Sequence, residues 1–294
     1  MPSIQFVKTL WGVTALQGNT PLDGGYGRLF KRIAADGFQA VETPVWMVED
    51  KAAFSAALKA NNLSYIAMVN TCTPSGDGPQ YKTSLADHTA SFERQVKEAM
   101  AMAPLFINAH SGCDSWNMAT ATTFFTTALA LEKSLGIMIC HETHRGRVLY
   151  NQWITRDLCR LFPDLKITAD LSHFCVVAER VFAEDDEDWK ECMIEFARAT
   201  RHIHARVGYA EGPQVPDPRA PEYLSALERH EVWWDHIISE QKKRGVESIT
   251  VEPEHGTDGY QQRLPYTQVE TADIWEVNKW IRDREEKRMG AKTY

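Results

Sequence analysis

The sequence has no apolar run that approaches the ~20 residues needed to cross a bilayer, and its start, MPSIQFVKTLWG, lacks the regions of a secretion signal. Positive charge is also scarce, since 32 lysines and arginines stand against 40 aspartates and glutamates, for a formal net charge of −8. Such a field repels phosphate backbones and anionic membrane surfaces. We therefore expect a cytoplasmic protein that binds neither membranes nor nucleic acid.

Cysteine is sparse, and no two cysteines have the CxxC spacing of a structural zinc site. A chain of 294 residues buries enough core to fold without disulfides. The sequence also lacks a GxGxxG motif after its first apolar run, which argues against a dinucleotide-binding crevice. We predict that the six cysteines are reduced and mostly buried: Cys72, Cys113, Cys140, Cys159, Cys175 and Cys192.

Apolar runs alternate with amphipathic stretches along the chain, and glycine often separates a stretch from the next run, as at Gly37, Gly136 and Gly245. No change in composition suggests a linker. This pattern predicts one domain, residues 1–294, folded as a single (β/α)8 TIM barrel of the α/β class, with a doubly wound open sheet as the alternative. The predicted strands are Ile4–Val13, Ala40–Trp46, Ser64–Asn70, Leu105–His110, Gly136–His144, Lys166–Phe174, His202–Val207 and Ser248–Glu254.

Acidic and imidazole groups recur at the predicted ends of strands five to eight, in Cys140–His144, Ala169–His173, His202–Arg206 and Val251–His255. The carboxyl ends of barrel strands converge on one site, so these segments become neighbours. Any one acid there could be a helix cap or half of an ion pair, but four clusters together favour a divalent metal. The predicted ligands are Glu142, Asp170, His204 and Glu252.

The order of these residues resembles that of the xylose isomerase-like TIM-barrel superfamily of sugar isomerases and epimerases. This superfamily includes ketose 3-epimerases, hydroxypyruvate isomerase, inosose dehydratase, 3-dehydroshikimate dehydratase and endonuclease IV. The resemblance covers essentially the whole chain and indicates the superfamily better than the substrate. It rests on Glu142, Asp170 followed by His173, His202 before His204, and Glu252-Pro253.

The resemblance implies that Glu142 and Glu252 ligate a metal ion and exchange a proton on opposite faces of a sugar, while Asp170 and His204 complete the metal shell. It also matches His173 to a histidine that binds a substrate oxygen. Arg206 lies nearer to the strand-seven histidine than the family's arginine does, so its substrate-binding role is a hypothesis. Oxygen-rich ligation favours manganese among Mn, Mg, Co and Zn.

The chemistry expected of such a site is proton transfer. Removing a proton beside a carbonyl creates enediolate charge, which a divalent cation stabilises, and carboxylates can take and return the proton. We predict a metal-dependent isomerase or epimerase of a small keto sugar or polyol. The alternative is a lyase or dehydratase of a keto-polyol or 3-keto-glycoside, with His144 as acid or base. A nuclease like endonuclease IV is a distant alternative, disfavoured by the acidic balance.

Other residues near the predicted site are candidates for binding the carbohydrate. Arg147 suggests an anionic or polyhydroxylated substrate, although an ion pair on the barrel rim would explain it as well. The loop that follows strand seven, residues 208–221, is predicted to influence specificity. Two helical tryptophans, Trp233 and Trp234, are expected to pack against the barrel or a second subunit, so a homo-oligomer stays open. The remaining substrate-binding candidates are Trp11, His110 and His202.

Overall fold

The computed structural model describes residues 3–13, 25–72, 82–257 and 259–291, and its strands form a closed parallel barrel. Each strand pairs with the next one along the chain, and the eighth pairs with the first. The predicted TIM barrel is thereby confirmed, and the open-sheet alternative is wrong. The strands are β1 (Ser3–Thr9), β2 (Ala40–Pro44), β3 (Ser64–Asn70), β4 (Phe106–His110), β5 (Ile139–Glu142), β6 (Lys166–Ala169), β7 (Thr200–His204) and β8 (Ser248–Glu252).

Several strands end before their predicted ends, and β6 shows why. The prediction continued it to Phe174, but the strand stops at Ala169 because the Asp170 carboxylate accepts hydrogen bonds from the backbone and hydroxyl of Ser172. Such a local side-chain bond turns the chain and competes with the strand. A short helix then begins at Ser172, so His173 is helical.

Helices surround the barrel, and most begin at side-chain caps that the sequence supplies, such as Asn117, Asn151 and Asp186. Gly136 ends its helix with a φ of 65°, as predicted. No described helix is both long and apolar enough to span a membrane. The helices are α1 (Gly25–Ala35), α2 (Lys51–Ala60), α3 (Leu85–Met100), α4 (Met118–Leu135), α5 (Gln152–Leu161), α6 (Ser172–Val177), α7 (Glu187–Ala199), α8 (Leu224–Lys243) and α9 (Ile274–Ala291).

Two expectations about buried residues are confirmed. All six cysteines are free and buried. Trp233 and Trp234 are buried on α8 within the chain, and Trp233 packs on Trp189 of α7 at a ring-centroid distance of 4.8 Å. These tryptophans therefore belong to the core of this chain.

The interior of the barrel changes from apolar to polar along its axis. Its amino-terminal end holds a small apolar cluster of Val7, Ala40, Ile66, Phe106 and Cys140. Strand register then places acidic and imidazole side chains in successive inward layers toward the carboxyl ends. The layers, in order, contain Glu42, Asn108 and Glu252; then Met68, Glu142 and His204; then His110, Asp170 and Glu254.

Candidate active site

A cavity of about 260 Å³ opens at the carboxyl ends of the strands. Its walls are mostly apolar and aromatic, and its polar groups come from β3, β4, β5 and the segments after β7 and β8. Five of the predicted site residues line the cavity, namely Trp11, His110, Glu142, His144 and Arg206. The lining residues are Trp11, Pro44, Trp46, Met47, Met68, Asn70, His110, Glu142, His144, Arg206, Glu254 and Tyr260.

Beneath this cavity lies a buried set that we call the upper group: Glu142, Asp170, His204 and Glu254. One ligand atom from each lies within 4.8 Å of the others. His204 Nδ1 is 2.8 Å from Glu254 Oε2 and 3.7 Å from Glu142 Oε1. The group thus brings together three carboxylates and one imidazole, which is the predicted composition with Glu254 in the place of Glu252.

A buried arginine supplies positive charge to the upper group. Arg206 donates from Nε and Nη2 to Asp170 Oδ2, and from Nη2 to Glu254 Oε2 at 2.8 Å. Burial opposes its charge, but Asp170 and Glu254 hold the pKa of Arg206 above its ordinary value. Burial raises the pKa of Asp170 to about 6 even though Arg206 acts in the opposite direction. Arg206 is therefore a fixed cation that faces both the carboxylates and the cavity.

Glu142 is held by two donors on β4. His110 Nε2 lies 2.6 Å from Glu142 Oε2, and Asn108 Nδ2 donates to the same oxygen at 2.8 Å. Its other oxygen, Oε1, has no hydrogen-bond partner among the described residues. Burial opposes ionisation, but His110 and His204 hold the pKa of Glu142 well below its usual range. Glu142 is thus an ionised carboxylate with one oxygen available.

A second buried set, the lower group, consists of Glu42, His202, His204 and Glu252. It lies deeper in the barrel and shares His204 with the upper group. His204 Nε2 is 3.6 Å from Glu42 Oε1, so the two ring nitrogens of His204 face different groups. Asn108 Nδ2 also donates to Glu42 at 3.0 Å and links the lower group to Glu142.

His144 lines the cavity beside His110, with ring centroids 4.7 Å apart. Its Nδ1 faces the Arg145 carbonyl oxygen, which can only accept a hydrogen bond, so Nδ1 carries the proton. Burial lowers the pKa of His144 well below its ordinary value. The ring is therefore neutral, and Nε2, 3.4 Å from Tyr260 Oη, is an acceptor. His110, Glu142 and His144 also place ligand-type atoms within 4.8 Å of one another.

The structure separates some predicted site residues from the cavity. Glu252 and His202 point into the barrel, but two residues below Glu254 and His204 on their strands, so they belong to the lower group. His173 lies on α6 behind His144, with ring centroids 3.9 Å apart, and does not line the cavity. These positions leave their predicted substrate contacts without direct geometric support.

Arg147 is also behind the wall of the cavity. Its guanidinium donates to the Thr71 carbonyl at 2.8 Å and to the Asn70 side chain. It is buried, and it fastens the segment after β5 to the end of β3. The observed contacts are structural and differ from the rim ion pair that we considered.

Among the residues at or near the site to which the sequence assigns no role are Glu42, Asn108, Glu254 and Tyr260. Glu42 and Asn108 stand inside strands, where a lone polar residue is weak evidence for a site. Glu254 follows Glu252 by two residues on the same face, and only the layer distinguishes them. Tyr260 follows β8 in an irregular segment, where periodicity gives no signal, and its ring lies 4.9 Å from the Arg206 guanidinium.

The donor set of the upper group fits a divalent cation. Three carboxylates buried together carry more negative charge than Arg206 offsets, and carboxylates with imidazole suit Mn²⁺ and similar ions. Glu142 Oε1 has no hydrogen-bond partner among the described residues. Asp170 already accepts bonds from Ser172 and Arg206, so a metal would share this carboxylate with the arginine.

Comparisons with known proteins identify the fold. No protein-family model matches the sequence, and no curated protein matches it. Among solved structures, D-allulose 3-epimerase from Methylomonas sp., in complex with D-allulose, is similar with a TM-score of 0.63 and 10% identity, covering 98% of each chain.

Structures of other enzymes share the fold. A probable 3-DHS dehydratase from Bacillus anthracis matches with a TM-score of 0.56 and 13% identity, covering 100% of each chain. An AP endonuclease, family 2, from Brucella melitensis matches with a TM-score of 0.52 and 16% identity, covering 88% of this chain and 95% of that one. The fold thus accommodates an epimerase, a dehydratase and an endonuclease, and does not by itself select a reaction. The chain has the fold of the xylose isomerase-like TIM-barrel proteins.

Proposed function

We propose that the protein is a divalent-metal-dependent isomerase or epimerase of a small keto sugar or polyol. The observation that carries this proposal is the cavity of about 260 Å³ with Glu142, His144, Arg206 and Glu254 among its lining residues. Its volume lies just below the usual range for ligand pockets, which suits a molecule of monosaccharide size. The epimerase with a similar fold supports the substrate class.

We propose the upper group as the metal site, with Glu254 as the ligand from the β8 side in place of Glu252. Glu254 lines the cavity and groups with Glu142 and Asp170, whereas Glu252 does neither. The oxygen-rich donor set favours Mn²⁺. When bound there, the metal would polarise a substrate carbonyl and so acidify the adjacent C–H bond.

The protein residues supply the proton transfer. Ionised Glu142 is the candidate to accept a proton from the carbon next to the carbonyl, while His110 and Asn108 keep the carboxylate in place. Glu254 is the second carboxylate that reaches the cavity and is the candidate to return the proton from another side. Arg206 can bind a substrate oxygen, and Trp11, Trp46 and Tyr260 can cover the apolar faces of a sugar ring.

Elimination is the second candidate reaction, and the dehydratase with the same fold favours it. It would need an acid to protonate the departing hydroxyl group. His144 is neutral with its proton turned toward the Arg145 carbonyl, so it is placed to accept a hydrogen bond rather than to donate a proton. We therefore place isomerisation or epimerisation ahead of elimination.

The test uses a panel of ketopentoses, ketohexoses and keto-polyols in D2O with MnCl2. Proton NMR would measure deuterium uptake beside the carbonyl and the appearance of an epimer or isomer. Glu142→Gln should lower turnover by about 10²–10⁴-fold, since this is the usual contribution of a general base. The matched control is Glu228→Gln, which removes an exposed acid on α8.

The outcomes separate the two candidate reactions. Solvent deuterium in a product of unchanged composition supports proton transfer at carbon, whereas an unsaturated product that absorbs in the ultraviolet would replace the proposal with a lyase. Full turnover by Glu142→Gln would remove this residue from the mechanism. Chelation of the metal should abolish turnover, and Mn²⁺ should restore it.

A further inference from the structure

We propose that the lower group is a second divalent-cation site, formed by Glu42, His202, Glu252 and the Nε2 atom of His204, and suited to an ion such as Zn²⁺. It lies inside the barrel, one layer or more below the proposed catalytic metal. The inference does not rest on the proposed function, because three of its four side chains lie outside the upper group and only His204 is shared. A neutral imidazole binds a metal through one nitrogen, so filling both sites at once would require His204 to release its ring N–H proton to solvent and bridge the two ions as an imidazolate.

The first support is a concentration of unpartnered polar atoms. Both oxygens of Glu252, Oε2 of Glu42 and the Nε2 atoms of His202 and His204 have no hydrogen-bond partner among the described residues. All four side chains are at most 1% exposed. Buried carboxylates without partners are strongly unfavourable, so this group requires positive charge from a proton or an ion.

The spacing of these atoms favours an ion. His202 Nε2 lies 3.4 Å from Glu42 Oε2 and 3.6 Å from Glu252 Oε2, and His204 Nε2 lies 3.6 Å from Glu42 Oε1. Direct hydrogen bonds between imidazole and carboxylate would be nearer ~2.8 Å. Ligands at ~2.1 Å from a tetrahedral Zn²⁺ are separated by ~3.4 Å, which agrees with the two distances from His202 Nε2.

The surrounding contacts orient the donors as metal sites require. His202 Nδ1 lies 2.7 Å from Thr250 Oγ1 and 3.3 Å from the Thr250 carbonyl oxygen. The carbonyl can only accept, so a proton on Nδ1 satisfies it and leaves the Nε2 lone pair for a metal. Asn108 Nδ2 fixes Glu42 by donating to Oε1. Such outer contacts typically fix the tautomer and orientation of metal ligands.

The donor types distinguish the two sites. The lower group has two imidazoles and two carboxylates, whose charges an ion of charge +2 would balance, whereas the upper group has a single imidazole and an arginine. Ligation that includes two imidazoles favours zinc, and oxygen-rich ligation favours manganese or magnesium. The two sites should therefore differ in the metal they retain.

The experiment measures zinc directly. The full chain would be stripped with a chelator, loaded with ZnCl2, desalted and analysed for metal content, and crystals would be examined by anomalous diffraction at the zinc edge. We expect an anomalous peak among Glu42, His202, His204 and Glu252. His202→Gln and Glu42→Gln should lose this peak and roughly one zinc per chain. Asp170→Asn, in the upper group, should keep it.

A wild-type map with no peak at this position, or with short hydrogen bonds between His202 and the two glutamates, would overturn the inference. Equal zinc content and an unchanged peak in His202→Gln would do the same. If a variant does not fold, the anomalous map of the wild-type protein still shows whether zinc occupies the lower group. Failure of the proposed function is a separate outcome, since loss of turnover in Glu142→Gln is measured independently of zinc in the lower group.

Discussion

The upper and lower groups contain similar residues but balance their charge differently. In the upper group, the Arg206 guanidinium contacts Asp170 and Glu254. In the lower group, no arginine or lysine forms an ion pair with Glu42 or Glu252 in the described structure, and most of the polar atoms have no hydrogen bond. The upper group is therefore partly compensated by the chain itself, and the lower group depends on a proton or an ion.

This difference follows from position in the barrel. Arg206 lies beyond the end of β7, where a long side chain can reach the carboxylates and also face the cavity. The lower group is enclosed by strands, and its four side chains are at most 1% exposed. The upper group thus keeps a cation of the chain that also faces the cavity, whereas the lower group suits a permanently held ion.

Removing the internal cation should produce the largest effect. Arg206→Met leaves Asp170 and Glu254 buried without a positive partner, so we expect the free energy of unfolding to fall by about 3–5 kcal/mol. Urea unfolding with and without Mn²⁺ would measure this loss, and Mn²⁺ should reduce it because the ion supplies charge to the same carboxylates.

The control for this variant is Arg219→Met, which breaks a partly exposed ion pair with Asp217 and should cost at most about 1 kcal/mol. Arg206→Lys should retain part of the stability, because it keeps the charge and loses the forked contact. If Arg206→Met is as stable as the wild type without metal, the upper group does not depend on this cation, and the contrast between the two groups fails.

The sequence was sufficient to predict the barrel. Apolar runs alternated with amphipathic stretches, and glycine ended helices at Gly37, Gly136 and Gly245, all of which have positive φ. The strand ends were harder, because local side-chain bonds decide them. Asp170 turns the chain after β6 by accepting from Ser172, which periodicity cannot reveal.

The sequence was sufficient to predict which end of the barrel holds the candidate site, but not which layer of the interior each side chain occupies. Alternation along β8 puts Glu252 and Glu254 on the same face, yet the stagger between strands determines which of them reaches Glu142 and Asp170. Glu42 entered the interior from β2, where no neighbouring acid or histidine marked it. Arg147 was predicted to contact the substrate, but its guanidinium instead donates a hydrogen bond to the backbone carbonyl oxygen of Thr71.

His230, a buried histidine outside the two groups, should make the free energy of unfolding depend on pH without the help of a carboxylate partner. His230 is buried on α8, and its Nε2 accepts from the Gly208 backbone N–H. Burial lowers its pKa to about 4. Between pH 6.5 and 4 the unfolded chain binds more protons than the folded one, so stability falls as the pH falls, by up to about 3 kcal/mol.

His230→Gln should flatten this part of the pH profile, because glutamine can accept the same hydrogen bond and does not titrate. Urea unfolding of both proteins from pH 4 to 8 gives the difference, in which titrations elsewhere cancel. His236→Gln, at an exposed position on the same helix, should change the profile less. Parallel profiles for wild type and His230→Gln would show that this histidine is not held neutral.

The smallest expected effect concerns the apolar wall above the upper group. Trp46 lines the cavity and is 41% exposed, so Trp46→Ala should leave stability nearly unchanged. It should raise KM by about 3–10-fold with little change in kcat, because the ring contacts the ground state and the transition state alike. Trp153→Ala is the matched control, since Trp153 is 44% exposed on α5 and does not line the cavity. A fall in kcat instead would mean that Trp46 positions the reacting carbon over the upper group, which would extend the catalytic region beyond the carboxylates.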